Sequence, residues 1–120
     1  MSVMDQQNPL GGKVITDTTA DATAATDVTG GASTIYYFEV DNTANVGDPA
    51  FFKVYDHASP TVGTTDPLII LRAAAGTKET FVVPQGVAFS VALSYACVTT
   101  AGTAGTGNPA NAVIIRMIAS

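Results

Sequence analysis

The chain has 120 residues, of which 47% are apolar and only 12% charged, with a formal net charge of −5. That length gives one domain with enough chain to bury a core, and no apolar run approaches the ~20 residues of a membrane-crossing helix, so no membrane insertion is expected. The five basic residues, Lys13, Lys53, Arg72, Lys78 and Arg116, are scattered, which excludes the basic stripe that phosphate recognition needs and leaves nucleic acid out as a partner.

Residues 1–33 stand apart: they hold no aromatic side chain, and 16–33 are mostly Thr, Ala, Asp and Gly. The first ten residues show neither a basic nor an apolar leader region, so nothing marks them for ordinary secretion. Thr and Asp interleaved with Ala over 20–25 disfavour a helix. An extended reading puts Ala20, Ala22, Ala24, Thr26 and Val28 on one face, with Thr19, Asp21, Thr23 and Asp27 opposite. Gly30 and Gly31 then form a hinge. Such a stretch has too little to bury to fold alone. The expectation is an extended N-terminal arm over 1–33, able to span on the order of 100 Å at ~3.3 Å per residue, followed by a domain over 34–120.

Residues 34–41 read as a strand, with Tyr36, Phe38 and Val40 on one face and Ile35, Tyr37, Glu39 and Asp41 on the other. A turn region follows over 42–49. The strand over 50–57 alternates Phe52 and Val54 with Phe51, Lys53 and Tyr55, and aromatics on both faces imply two-sided burial or an interface. After a loop over 58–67 come a short strand at 68–72 and another at 77–83, with Thr77, Glu79, Phe81 and Val83 on one side. Pro84, Gln85 and Gly86 read as a tight turn, with Gly86 at positive φ.

The longest alternation covers 87–98. Val87, Phe89, Val91, Leu93, Tyr95 and Cys97 form a large-residue face, and Ala88, Ser90, Ala92, Ser94 and Ala96 an uncharged small face that suits lying under something else. The fold is expected to be organised around this strand, with Cys97, the only cysteine, as a buried small hydrophobe. Residues 99–111 read as a long Thr/Gly loop without anchors. The last strand, 112–118, sets Val113, Ile115 and Met117 against Ile114, Arg116 and Ile118.

Six strands, turn signals between them and no helical pattern give an all-β fold: a single antiparallel β-sandwich, jelly-roll-like, with an extended N-terminal arm. Such folds commonly have seven or eight strands. The arm can supply what is missing, to its own domain or to a neighbour.

No catalytic constellation emerges. His57, the only histidine, adjoins Asp56, but neighbours on a strand point to opposite faces, so Asp56 is badly placed to orient it in a triad. Asp41, Asn42, Asn45 and Asp48 match no calcium loop and read as turn residues. One Cys and one His make no zinc set, and the glycines of 101–107 lack the Lys and helix of a phosphate loop. The expectation is a non-enzyme with no metal or cofactor.

Laid out in this way, the segments Val40, Asp41, Asn42, Thr43, Ala44 and Asn45, then Lys53 to Asp56 with Thr61 to Thr65, Val83 to Phe89, and the Thr/Gly loop 99–107, resemble small β-sandwich proteins of bacteriophages and some bacteria. The resemblance covers about residues 35–120. It implies virion or fibril structural subunits, including jelly-roll fibrils in which an N-terminal arm serves as donor strand to the next protomer.

Charged residues are about half as frequent as in typical soluble domains, which suggests a surface partly covered by other copies. The first expectation is therefore a subunit of an extracellular helical filament, joined by donor-strand exchange through residues 10–30. Val14, Ile15, Ala20, Ala22, Ala24 and Val28 are the candidate inserted side chains, and the strands at 87–98 or 112–118 the acceptor edge. The alternative is a phage head-decoration or tail-surface protein whose arm grips a capsid or tail partner. A third reading is a carbohydrate- or receptor-binding module using loop 99–111 with Tyr37, Phe51 and Tyr55.

Overall fold

The alternating segments become strands of an all-β fold, with no helix among the described residues. The structure is a computed structural model that describes residues 12–120, and residues 3–7 as backbone. The strands are β1 (Val3–Gln7), β2 (Lys13–Ala20), β3 (Ser33–Asp41), β4 (Ala50–Asp56), β5 (Ile69–Ala73), β6 (Lys78–Phe89), β7 (Leu93–Val98) and β8 (Val113–Ala119). They form two antiparallel sheets, β1-β2-β8-β3-β6 and β5-β4-β7. Residues 21–28 run along the outer side of β7, joined to it by main-chain bonds at Asp21, Ala25 and Val28.

The connectivity is jelly-roll-like. β4 pairs with β5, β3 with β6, 21–28 with β7, and β2 with β8, each pair enclosing the one before. The inward faces meet in one core, to which Ile15, Ile35, Phe38, Val40, Phe89, Val113, Ile115 and Met117 contribute from the larger sheet, and Phe52, Val54, Leu93, Tyr95 and Cys97 from the smaller. Phe52 lies between the layers, its ring 6.3 Å from Phe38 and 5.3 Å from Tyr95, within the range of favourable aromatic pairs.

Three expectations change. The alternation over 87–98 is not one strand but the end of β6 and the whole of β7, which belong to different sheets. The chain crosses between them at 90–92, where the Asp56 carboxylate accepts the N–H groups of Ser90 (3.1 Å), Val91 (2.9 Å) and Ala92 (3.2 Å). The period of two survives the break because Phe89 and Leu93 both face the core, while Val91 at the corner is 57% exposed.

The second change is at Pro84, Gln85 and Gly86, which do not end a strand. They form a bulge inside β6: the step from Ile35 to Tyr37 on β3 is matched by the longer step from Val87 to Val82 on β6. Gly86 has φ +79°, and a Cβ there would collide with the Thr34 methyl and come within 2.8 Å of the Tyr36 ring; only glycine fits both constraints. The opposing irregularity turns Ile35 inward and fully buries it, while Tyr36, grouped by the alternation with the buried Phe38 and Val40, is 37% exposed.

The third change is loop 99–111, which is anchored. It covers the outer face of the smaller sheet, where Lys53 and its cross-strand neighbour Ala96 are buried. The Lys53 ammonium donates to the carbonyls of Thr103 (3.1 Å) and Gly105 (2.5 Å). The Thr103 hydroxyl reaches Asp66 in the facing loop at 2.9 Å. Of the uncharged small face, the part on and just before β7 is buried, Ala92, Ser94 and Ala96, whereas Ala88 and Ser90 are exposed.

Candidate functional site

The segment expected to insert into a groove begins, at residues 10 and 11, outside the described residues; from Gly12 on it can be followed. β2 pairs along its length with β8, Ile15 opposite Met117 and Asp17 opposite Ile115. Strand alternation sends Lys13, Ile15 and Asp17 toward the sandwich interior and Val14 and Thr16 outward. Ile15 is fully buried in the core cluster. Val14 is half-buried on the outer face, opposite Ile118.

The chain then leaves one sheet and continues along the other. Ala20 is buried opposite Val113 at the end of β2. Asp21 turns the backbone by accepting the Thr23 N–H at 2.8 Å. Its carbonyl accepts the Cys97 N–H at 2.8 Å, Ala25 and Tyr95 exchange two bonds of 2.8 and 2.9 Å, and Val28 N–H donates to Leu93 at 2.8 Å. The segment thus lies on two of the strands expected to offer an acceptor edge, β7 and β8, within its own chain.

Of the six expected inserted residues, Ile15 and Ala20 reach the core, and Val28 packs against it. Val14, Ala22 and Ala24 are half-buried. The inferred face from Ala20 to Val28 does not form, because the turn at Asp21 shifts the phase. Ala25, placed in neither face by the alternation, becomes the buried residue, 1% exposed.

Asp17 is the residue that pattern reading missed. It is fully buried, with Oδ2 accepting the Tyr95 hydroxyl at 2.8 Å and Oδ1 accepting the Thr19 N–H at 2.9 Å. Burial, then the adjacent Asp17 charge, hold the Tyr95 phenol far above its usual range. Burial and the same carboxylate, with Asp21, push the Cys97 thiol up, so Cys97 packs as an unreactive hydrophobe.

A turn joins this segment to the rest of the sandwich. Asp27 has φ +46°, Gly30 φ +72° and Gly31 φ +126°. The Asp27 carboxylate accepts the Gly31 N–H at 2.8 Å. No atom lies within 4 Å of where a Cβ would stand on either glycine, so the turn is held by local hydrogen bonds, those of Asp27 and that of the Thr29 hydroxyl to the Gly31 carbonyl at 3.2 Å.

The other candidate residues are engaged structurally. Asp56 caps the crossing at 90–92, and His57 Nδ1 accepts the Ser59 N–H at 2.9 Å, so the two do not form an oriented pair. Asn42 and Asn45 are buried; Asn42 Oδ1 accepts the Asn45 amide at 2.9 Å, and Asn45 Oδ1 accepts the Asn111 N–H at 2.8 Å. Asp41 Oδ1 accepts the Thr43 hydroxyl at 2.6 Å. Among the described residues, no group of three or more His, Cys, Asp or Glu side chains converges on a metal position. The surface expected from Tyr37, Phe51 and Tyr55 does not assemble: Tyr55 is fully buried, and Tyr37 and Phe51 belong to different sheets. Compared with known protein families, curated proteins and solved structures, the chain matches none.

Proposed function

We propose that this protein is a non-enzymatic structural subunit that links copies of itself into a filament by exchanging residues 13–28, so that the segment of one copy occupies the groove of the next. The observation that carries this reading is the way the segment is held. It lies between β1 and β8 in the larger sheet, borders β7 at the edge of the smaller one through main-chain bonds, and gives the core Ile15, Ala20 and Ala25, yet it joins the domain through two left-handed glycines with open space at their Cβ positions.

The same contacts made between chains would cost the straightening of the hinge and the local bonds of Asp27 and Thr29 that hold it, the usual route to a swapped assembly. A head-to-tail contact of this kind makes an open filament when its rotation does not close. The resemblance to jelly-roll fibril subunits with an N-terminal donor strand points the same way, and with it to an extracellular filament. A sparse charge complement suits a subunit whose surface is shared with neighbours.

The test is the full-length chain alone, studied by light scattering across a concentration series and by negative-stain electron microscopy. Uniform fibres that disappear when residues 1–31 are deleted are the expected result. A monomer at every concentration overturns self-assembly, and fibres from the truncated chain overturn exchange as its mechanism.

A further inference from the structure

We infer that Asp17, acting through Tyr95, sets the register of the N-terminal segment in its groove and restricts that groove to a segment of this chain's own sequence. The register part stands on the fold alone; the identification of the donor as a second copy rests on the exchange reading above.

Main-chain bonds between the antiparallel β2 and β8 repeat every two residues, so they cannot by themselves distinguish registers two residues apart. The side chains do. Ile15 occupies an apolar row with Met117 on β8, Phe38 on β3 and Phe81 on β6. A slip of one residue would turn Val14 and Thr16 inward and Ile15 out. A slip of two keeps the faces but carries Lys13 or Asp17 into the Ile15 position, placing a charge beside Met117 at the end of this apolar row. Either two-residue slip also takes the carboxylate away from the buried Tyr95 hydroxyl.

Asp17 fixes the other end of the strand as well. Its Oδ1 accepts the Thr19 N–H at 2.9 Å and the Thr19 hydroxyl at 3.3 Å, where the β2–β8 register shifts between Asp17 and Ala20. One carboxylate therefore bonds across the core to the opposite sheet and locally to the bulge that ends β2. A foreign strand can satisfy the backbone of this groove. To satisfy its interior it needs a branched aliphatic residue followed two positions later by a buried acceptor, the pattern of Ile15 and Asp17. The partner that fits is another copy of this chain.

The experiment uses cysteine pairs on the outward face of the full-length protein. Val14→Cys with Ile118→Cys reports the native register, since these two are direct partners. Thr16→Cys with Ile118→Cys reports a two-residue slip, because in the native register the pair is diagonal and too far apart to close. With Asp17 present, only the native pair should oxidise. In Asp17→Leu the leucine can take the Ile15 position while Thr19 faces Tyr95, and closure of the slip pair should rise about tenfold or more. Asp17→Asn, which keeps an acceptor toward Tyr95, should retain the native pattern. Asp17→Leu combined with Tyr95→Phe removes both ends of the bond and leaves no orphan hydroxyl, so it carries the test should Asp17→Leu alone fold poorly. Slip closure no higher than wild type in both leucine variants overturns the inference. The mass of the native-pair product reports separately on exchange: links between chains support it, and links only within monomers refute it while leaving the register result intact.

Discussion

Replacing Gly30 and Gly31 together with valine should shift the balance between the closed and exchanged forms toward exchange, so that assembly sets in at a lower concentration. Both glycines hold left-handed φ, +72° and +126°, and a β-branched residue there is strongly disfavoured. The penalty is about 1–2 kcal/mol at each position, or about 2–4 kcal/mol together. Nothing lies near either Cβ position, so no steric clash or cavity adds to it. An exchanged chain passes the hinge in extended form, where valine is favoured, and escapes the penalty. The balance between closed and exchanged forms should therefore move by about 30- to 1,000-fold. The assay is light scattering after size exclusion at matched concentrations, with electron microscopy of the high-mass fraction. A variant that melts earlier but remains monomeric at every concentration would show that the closed form is the only one accessible.

Ile15→Ala should lower the unfolding free energy by about 2–4 kcal/mol in urea denaturation, whereas Val14→Ala, on the half-buried outer face, should cost about 1 kcal/mol or less; equal effects would mean that the segment does not pack as described. Lys53→Met loses two charge-assisted bonds, about 1.5–3 kcal/mol each, but relieves a desolvation cost of several kcal/mol, so global stability should change by about 2 kcal/mol or less while loop 99–111 becomes much easier to cleave by protease. Burial holds the Lys53 ammonium below the usual lysine range. Its penalty is thus fully present below the folded pKa and fades as pH rises toward about 10.5; the stability difference, wild type minus Lys53→Met, should grow over that window, and a flat difference refutes the assignment. At Asp56, burial pushes the carboxyl up, but the N–H groups of Val91, Ala92 and Ser90 and the Ser90 hydroxyl outweigh it and hold the pKa below the usual range. Its contribution is present above about pH 4 and lost as pH falls through the folded value, so Asp56→Ala should cost about 1–2 kcal/mol at pH 7, and thermal melts of the two proteins should converge in acid.

Strand content was readable because the pattern is local. Phe38 and Val40, Phe52 and Val54, and Val113, Ile115 and Met117 alternate with other residues and go to the core. What could not be read depends on atoms distant in sequence or carried by the backbone. The crossing at 90–92 is made by Asp56, which lies on another strand. The anchors of loop 99–111 are carbonyls, identical at every residue, meeting a lysine whose charge reads as surface. At Gly86 the positive φ was legible, but whether such a glycine ends a strand or bulges it is decided by what lies opposite, here Thr34 and Tyr36.

The same division explains why the N-terminal segment was only half legible. Its hinge announces itself as two consecutive glycines, and Ile15 and Ala20 were among the residues expected to insert. Its inward face, however, reads Lys13, Ile15, Asp17, which looks like a solvated strand interrupted by one aliphatic residue. The carboxylate becomes intelligible only with Tyr95, the other end of a bond that joins the two sheets. A strand with every inward position apolar would bind its groove in several registers and accept many donors. One with a single buried acceptor sacrifices some apolar contact and gains a unique alignment. For the self-assembling subunit proposed above, alignment would be the scarcer property, so polarity in this segment is compatible with that proposal.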